Sequence, residues 1–124
     1  MIWLSVAIGG AIGAMARFGL SALLTPSPGK FPIATFTANV LGCFLMGVIY
    51  VLIVEKQTLS PNLRPLLMVG FLGAFTTYSS FSLEALSLWN GEHFVLAAVY
   101  ALVTLLAALC AVWLGYTLCE KLIH

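Results

Sequence analysis

The chain has 124 residues, of which 62% are hydrophobic and 7% charged, with a formal net charge of +1 and no aspartate. A soluble domain carries about 25% charged residues, so the composition excludes one and places the chain in a bilayer. The near-neutral balance and the lack of a basic run argue against nucleic acid or an anionic lipid surface as the main partner.

At about 20 residues per span, the length accommodates about four helices, too few to enclose a roomy polar cavity, so self-association is expected. Cys43, Cys110 and Cys119 lie in or at the edge of apolar runs, without a CxxC or Cys/His spacing, and read as small apolar fillers. The first positive charge, Arg17, follows the first apolar segment instead of preceding it, which argues against a cleaved signal peptide.

The first apolar run, residues 1–24, ends at the turn cluster Thr25 to Lys30, which contains Pro26 and Pro28. Gly9 and Gly13 form a GxxxG and permit close approach of another helix. Arg17, late in this span, either snorkels to the interface or lines an aqueous vestibule.

The second run, residues 31–54, opens with Pro32 near its first turn. Thr35, Asn39, Cys43 and Gly47 recur every four residues and share one helix face. The Asn39 amide is either interhelical glue or a pathway group. Residues 55–65, Glu55 to Pro65, read as the second loop.

The third run, residues 66–88, holds Gly70 to Glu84, GFLGAFTTYSSFSLE, which places the hydroxyls of Thr76, Thr77, Tyr78, Ser79, Ser80 and Ser82 and a carboxylate inside an apolar span. Each such group left unpaired costs about 1–3 kcal/mol, and more in hydrocarbon. Gly70 and Gly73 weaken the helix before them by about 1 kcal/mol each relative to Ala. A helix broken near its middle, followed by a hydroxyl-rich turn, is the form of an ion pathway at mid-membrane. Helical spacing sets Tyr78 beside Phe81 and Thr77 beside Ser80. Glu84 is either an interfacial charge or a pathway residue. His93 in the third loop reads as a solvated turn residue.

The fourth run, residues 94–119, is almost wholly apolar. Its polar-capable side chains include Tyr100, Thr104, Trp113 and Tyr116. Trp113 and Tyr116 suit an interface belt, and Thr104 is expected to bond back to its own helix. An enzyme is not indicated: His93 and His124 lie outside the polar cluster, and no serine has a base on its own helix face.

With four spans, Lys56, Arg64 and Lys121 lie on one side, and Lys30, with Arg17 nearby, on the other. So weak a bias is compatible with insertion both ways and with an antiparallel dimer.

GGAIGAMARFG at Gly9 to Gly19, ATFTANVLGCFLMG at Ala34 to Gly47 and the Gly70 to Glu84 segment together resemble, in order and spacing, the signature segments of the CrcB/Fluc fluoride channels. The resemblance covers the whole chain, and the third segment is the most specific. It implies an all-α integral membrane protein of the inner membrane, a dual-topology homodimer with two pores that let fluoride leave the cytoplasm passively. It also implies a structural sodium ion at the dimer centre, held by main-chain carbonyls at Gly73 and Thr76. The family's pore asparagine falls on Asn39 and its pore aromatics on Tyr78 and Phe81. Its hydroxyl-and-carboxylate track falls on Thr35, Ser79, Glu84 and Thr104, and its vestibule arginine on Arg17. Tyr78 stands where the family usually has Phe.

Two other readings compete. A small dual-topology multidrug transporter needs a carboxylate in the first span, which here has Arg17 and no acid. A non-transporting assembly subunit would use the polar residues only as helix glue.

Overall fold

The computed structural model describes residues 1–25 and 27–123. Pro26 of the first loop and the C-terminal His124 lie outside the described residues. Among these, four helices are long and apolar enough to cross a membrane: α1 (Ile2–Leu23), α2 (Ile33–Glu55), α3 (Pro65–Asn90) and α4 (Phe94–Leu122). Their ends fall within a turn of the expected ones. Glu55 and Pro65, expected in the second loop, are instead the last residue of α2 and the first of α3. Proline suits that first position because its missing N–H has no partner in a helix there. Two stretches are wound wider than an α-helix, Val51–Glu55 at the end of α2 and Pro65–Leu72 at the start of α3.

Lipid offers no hydrophobic drive for helices to associate, so close backbone packing has to hold them together. Glycines supply it at two seams. In α1, Gly9 and Gly13 lie against the main chain of Leu66 and Phe71, leaving no room for a side chain. Between α2 and α4, Gly47 lies against the Val112 carbonyl and Gly115 against that of Phe44. The chain is therefore two helix pairs, α1 with the first part of α3 and α2 with α4.

The second part of α3 leans on α4 around Leu88, Ala97 and Tyr100, with Phe31, Phe36 and Phe81 packed against them. Tyr100 is at the centre, with its ring edge-on to Phe31 at 5.2 Å. The outer faces carry exposed Ile8, Ile12 and Phe18 on α1 and Leu102, Leu106 and Trp113 on α4, the surface expected of helices that meet lipid. His93 is exposed and directly precedes α4.

Candidate functional site at the interruption of α3

Helical winding in α3 stops after Gly73–Phe75 and resumes at Ser79–Asn90; between them Thr76 is extended, with φ −84° and ψ 155°. In an unbroken helix each N–H bonds the carbonyl four residues earlier. Here the donors are diverted. The Thr77 N–H donates to Asn39 Oδ1 at 2.8 Å, and the Ser80 N–H donates to Thr77 Oγ1 at 3.0 Å. The carbonyls of Gly73 and Thr76 thus lose their helical donors. Ala74, whose helical donor belongs to Tyr78, accepts Arg17 Nε at 3.1 Å. Asn39 Nδ2 also donates to the Thr77 carbonyl at 3.0 Å, so one side-chain amide engages both main-chain groups of one residue.

Gly42 makes room for this turn, because its absent side chain would occupy the place of the Thr76 methyl. Thr76 Oγ1 donates back to the Leu72 carbonyl at 2.9 Å, closing the end of the first helical part.

Beside the interruption is a cavity of about 260 Å³. Asn39 and Cys43 line it from α2, Thr76, Thr77 and Tyr78 from the turn, Phe81 from α3, and Thr104, Leu105 and Ala108 from α4. Thr104 is only 6% exposed, and its Oγ1 has no hydrogen-bond partner. The expectation that it bonds back to its own helix is therefore overturned. The alternative is a hydroxyl that points into a cavity and waits for an acceptor.

A second polar cluster adjoins the first. Glu84 accepts from Thr35 Oγ1 at 2.9 Å and from the Tyr100 hydroxyl at 3.0 Å, so its two carboxylate oxygens tie α2 and α4 to α3. Phe81 joins the clusters, with its ring 5.1 Å from Tyr100 and 6.0 Å from Tyr78. Tyr100 was not among the residues singled out from sequence. Its signal was available: Tyr100 and Thr104 stand one helical turn apart in the otherwise apolar stretch 94–112, and Glu84 needed a donor.

Asn39, Thr76, Tyr78, Phe81 and Thr104 are thus gathered around one cavity, with Thr35 and Glu84 next to it. Ser79 stands aside, exposed, with its hydroxyl 3.4 Å from Thr77 Oγ1. Arg17 approaches the interruption from α1 through Ala74 and does not line the cavity. Gly73 is exposed, and Tyr78 is 82% exposed although it lies within an apolar span. Among the described residues, no group of three or more His, Cys, Asp or Glu side chains could hold a metal ion.

Residues 4–116 match the family described as CrcB-like protein, Camphor Resistance (CrcB). The chain is 50% identical over 123 residues to the fluoride-specific ion channel FluC of Saccharophagus degradans, covering 99% of this chain and 92% of that protein. It is 46% identical to the protein of the same name from Hahella chejuensis, over 91% and 90% of the two chains. The like-named protein of Nitratidesulfovibrio vulgaris is 42% identical, over 87% and 88%.

Proposed function

This chain belongs to the CrcB-like family, and from that premise we propose that it is a fluoride-selective ion channel of the cell's inner membrane, giving passive export of fluoride from the cytoplasm. The observation that carries the reading is the 50% identity, along 99% of the chain, to a protein named as a fluoride-specific ion channel. The protein is a multi-pass membrane channel and not an enzyme.

The working unit is an antiparallel homodimer with two pores. Support comes from the exposure of Gly73 and Tyr78 at mid-span, a polar face that lipid cannot satisfy and that a second copy would cover. In each pore fluoride exchanges its hydration shell for single, weak donors. Thr104 offers an unclaimed hydroxyl. Tyr78 and Phe81 offer ring edges of partial positive charge, which hold an anion without trapping it. Thr35, Ser79 and Glu84 continue the polar track, and Arg17 supplies fixed positive charge near the vestibule.

A structural sodium ion at the dimer centre fits the donor set of this chain. The carbonyls of Gly73 and Thr76 are the two that the diverted Thr77 and Ser80 N–H groups release, and a released carbonyl in a span needs a substitute for its hydrogen. Bound there, sodium would supply a fixed positive charge and a tie between the two copies.

The test is fluoride efflux from liposomes containing the purified protein, read with a fluoride electrode and repeated with chloride-loaded vesicles. Fast fluoride release without chloride release is expected. A dimeric protein that releases neither anion faster than empty vesicles do would be an assembly subunit instead.

A further inference from the structure

Resting on the reading of the α3 cavity as the fluoride pathway, we propose that Cys43 Sγ and Thr104 Oγ1 are a donor pair that holds the dehydrated anion between α2 and α4. Cys43 is then a pathway-lining residue that helps set the rate of fluoride passage.

The argument is an inventory of donors. Within the cavity, Asn39 is engaged with both main-chain groups of Thr77, and the Thr76 hydroxyl is donated to Leu72. Thr77 Oγ1 is taken up with the Ser80 N–H and the neighbouring Ser79 hydroxyl. Phe81, Leu105 and Ala108 add nothing polar, and the Tyr78 hydroxyl belongs to a ring that is 82% exposed and stands outside the enclosed part. Two donors on facing helices remain inside: the Thr104 hydroxyl, buried and without a partner, and the free thiol of Cys43.

Their placement follows from packing. Cys43 stands one turn before Gly47, which seats α2 on α4 at Val112, itself one turn beyond Ala108. Both side chains line the cavity beside that seam. A buried hydroxyl without a partner calls for an acceptor, and a small anion is one. The S–H group is a weak donor, suited to a site that must release what it holds.

A thiol on the pathway wall also makes the pathway closable. Methyl methanethiosulfonate, small and uncharged, reacts with a thiol reached by water. The Cys43 thiolate attacks the reagent's divalent sulfur, a new S–S bond forms, the reagent's S–S bond breaks, methanesulfinate leaves, and the thiol proton goes to water. The methylthio group would project into the cavity.

Fluoride efflux from liposomes decides the matter. Treatment of the otherwise unaltered protein should slow efflux at least about tenfold, with recovery on adding dithiothreitol. Cys43→Ser should resist the reagent, and a variant with Cys110→Ser and Cys119→Ser should remain sensitive. Without reagent, Cys43→Ala should conduct about threefold to tenfold more slowly, as loss of one donor implies, while Cys43→Ser, which keeps a donor, should conduct faster than Cys43→Ala.

The inference is overturned by any of several results. These are unchanged efflux in Cys43→Ala, equally slow efflux in Cys43→Ser, block that persists in Cys43→Ser, or treated protein whose mass shows either no adduct on Cys43 or an adduct with full efflux. If the untreated protein passes no fluoride, the pathway reading fails and this one falls with it; failure at Cys43 alone leaves the channel reading standing.

Discussion

Asn39 and Thr77 exchange two hydrogen bonds, the amide nitrogen donating to the Thr77 carbonyl at 3.0 Å and the amide oxygen accepting from the Thr77 N–H at 2.8 Å. The side chain behaves as a second strand one residue long. It gives a residue outside the helical winding of a membrane span the main-chain partners that a helix would have supplied. The interruption of α3 is therefore written as much into α2 as into α3.

Substituting Asn39→Asp keeps the shape and removes the donor, setting a carboxylate against the Thr77 carbonyl. Leaving a buried group unpaired costs about 1–3 kcal/mol, so we expect fluoride efflux at least about tenfold slower from a protein that still elutes as an assembled dimer. Efflux equal to that of the unaltered protein would show that the pair does not set the pathway.

Tyr100→Phe removes the donor to Glu84 Oε1 while keeping the buried ring in place. At about 1–3 kcal/mol for the unpaired acceptor, the thermal midpoint in detergent should fall by about 3–8 °C, with slower efflux. Thr35→Val should act in the same direction through the other carboxylate oxygen. An unchanged midpoint in both variants would mean that Glu84 finds other donors.

Tyr78→Phe removes a hydroxyl from a ring that is 82% exposed and leaves its edge intact. Because the ring edge carries the favourable charge, efflux should stay within about threefold, whereas Tyr78→Ala should lose most of it. Comparing the two variants in the same liposomes separates the ring from its hydroxyl.

Glycine substitutions at the helix seams should depend on place. Gly47→Ala puts a methyl group into the Val112 main chain and should cost about 1–3 kcal/mol, seen as a lower thermal midpoint and poorer recovery of dimer. Gly19→Ala meets nothing within 4 Å and should be neutral or stabilising by up to about 1 kcal/mol through helix propensity. Equal effects at both sites would discount the close approach of α2 and α4.

Replacing all sodium with N-methyl-D-glucamine during purification and assay should lower fluoride efflux, and restoring sodium should recover it, since a bulky organic cation cannot take carbonyl ligands at a small site. Efflux indifferent to the exchange would remove sodium from the account of Gly73 and Thr76.

Length and the order of apolar runs and turns determined that the chain forms four helices long and apolar enough to cross a membrane, because apolar runs of this length have no other way to satisfy their backbone in lipid. The polar content of Gly70 to Glu84 also marked where such a bundle departs from inert packing, since hydroxyls and a carboxylate there need partners or a purpose. Which partners they take was decided by the tertiary structure. Nothing in α3 itself says that Thr77 gives its N–H to α2, that Glu84 is shared by Thr35 and Tyr100, or that the buried Thr104 hydroxyl goes without a partner. Those outcomes depend on distances between residues far apart in the chain, set by glycines that bring one main chain against another. A local pattern reports which groups must be satisfied; only the packing of helices chooses which group satisfies them.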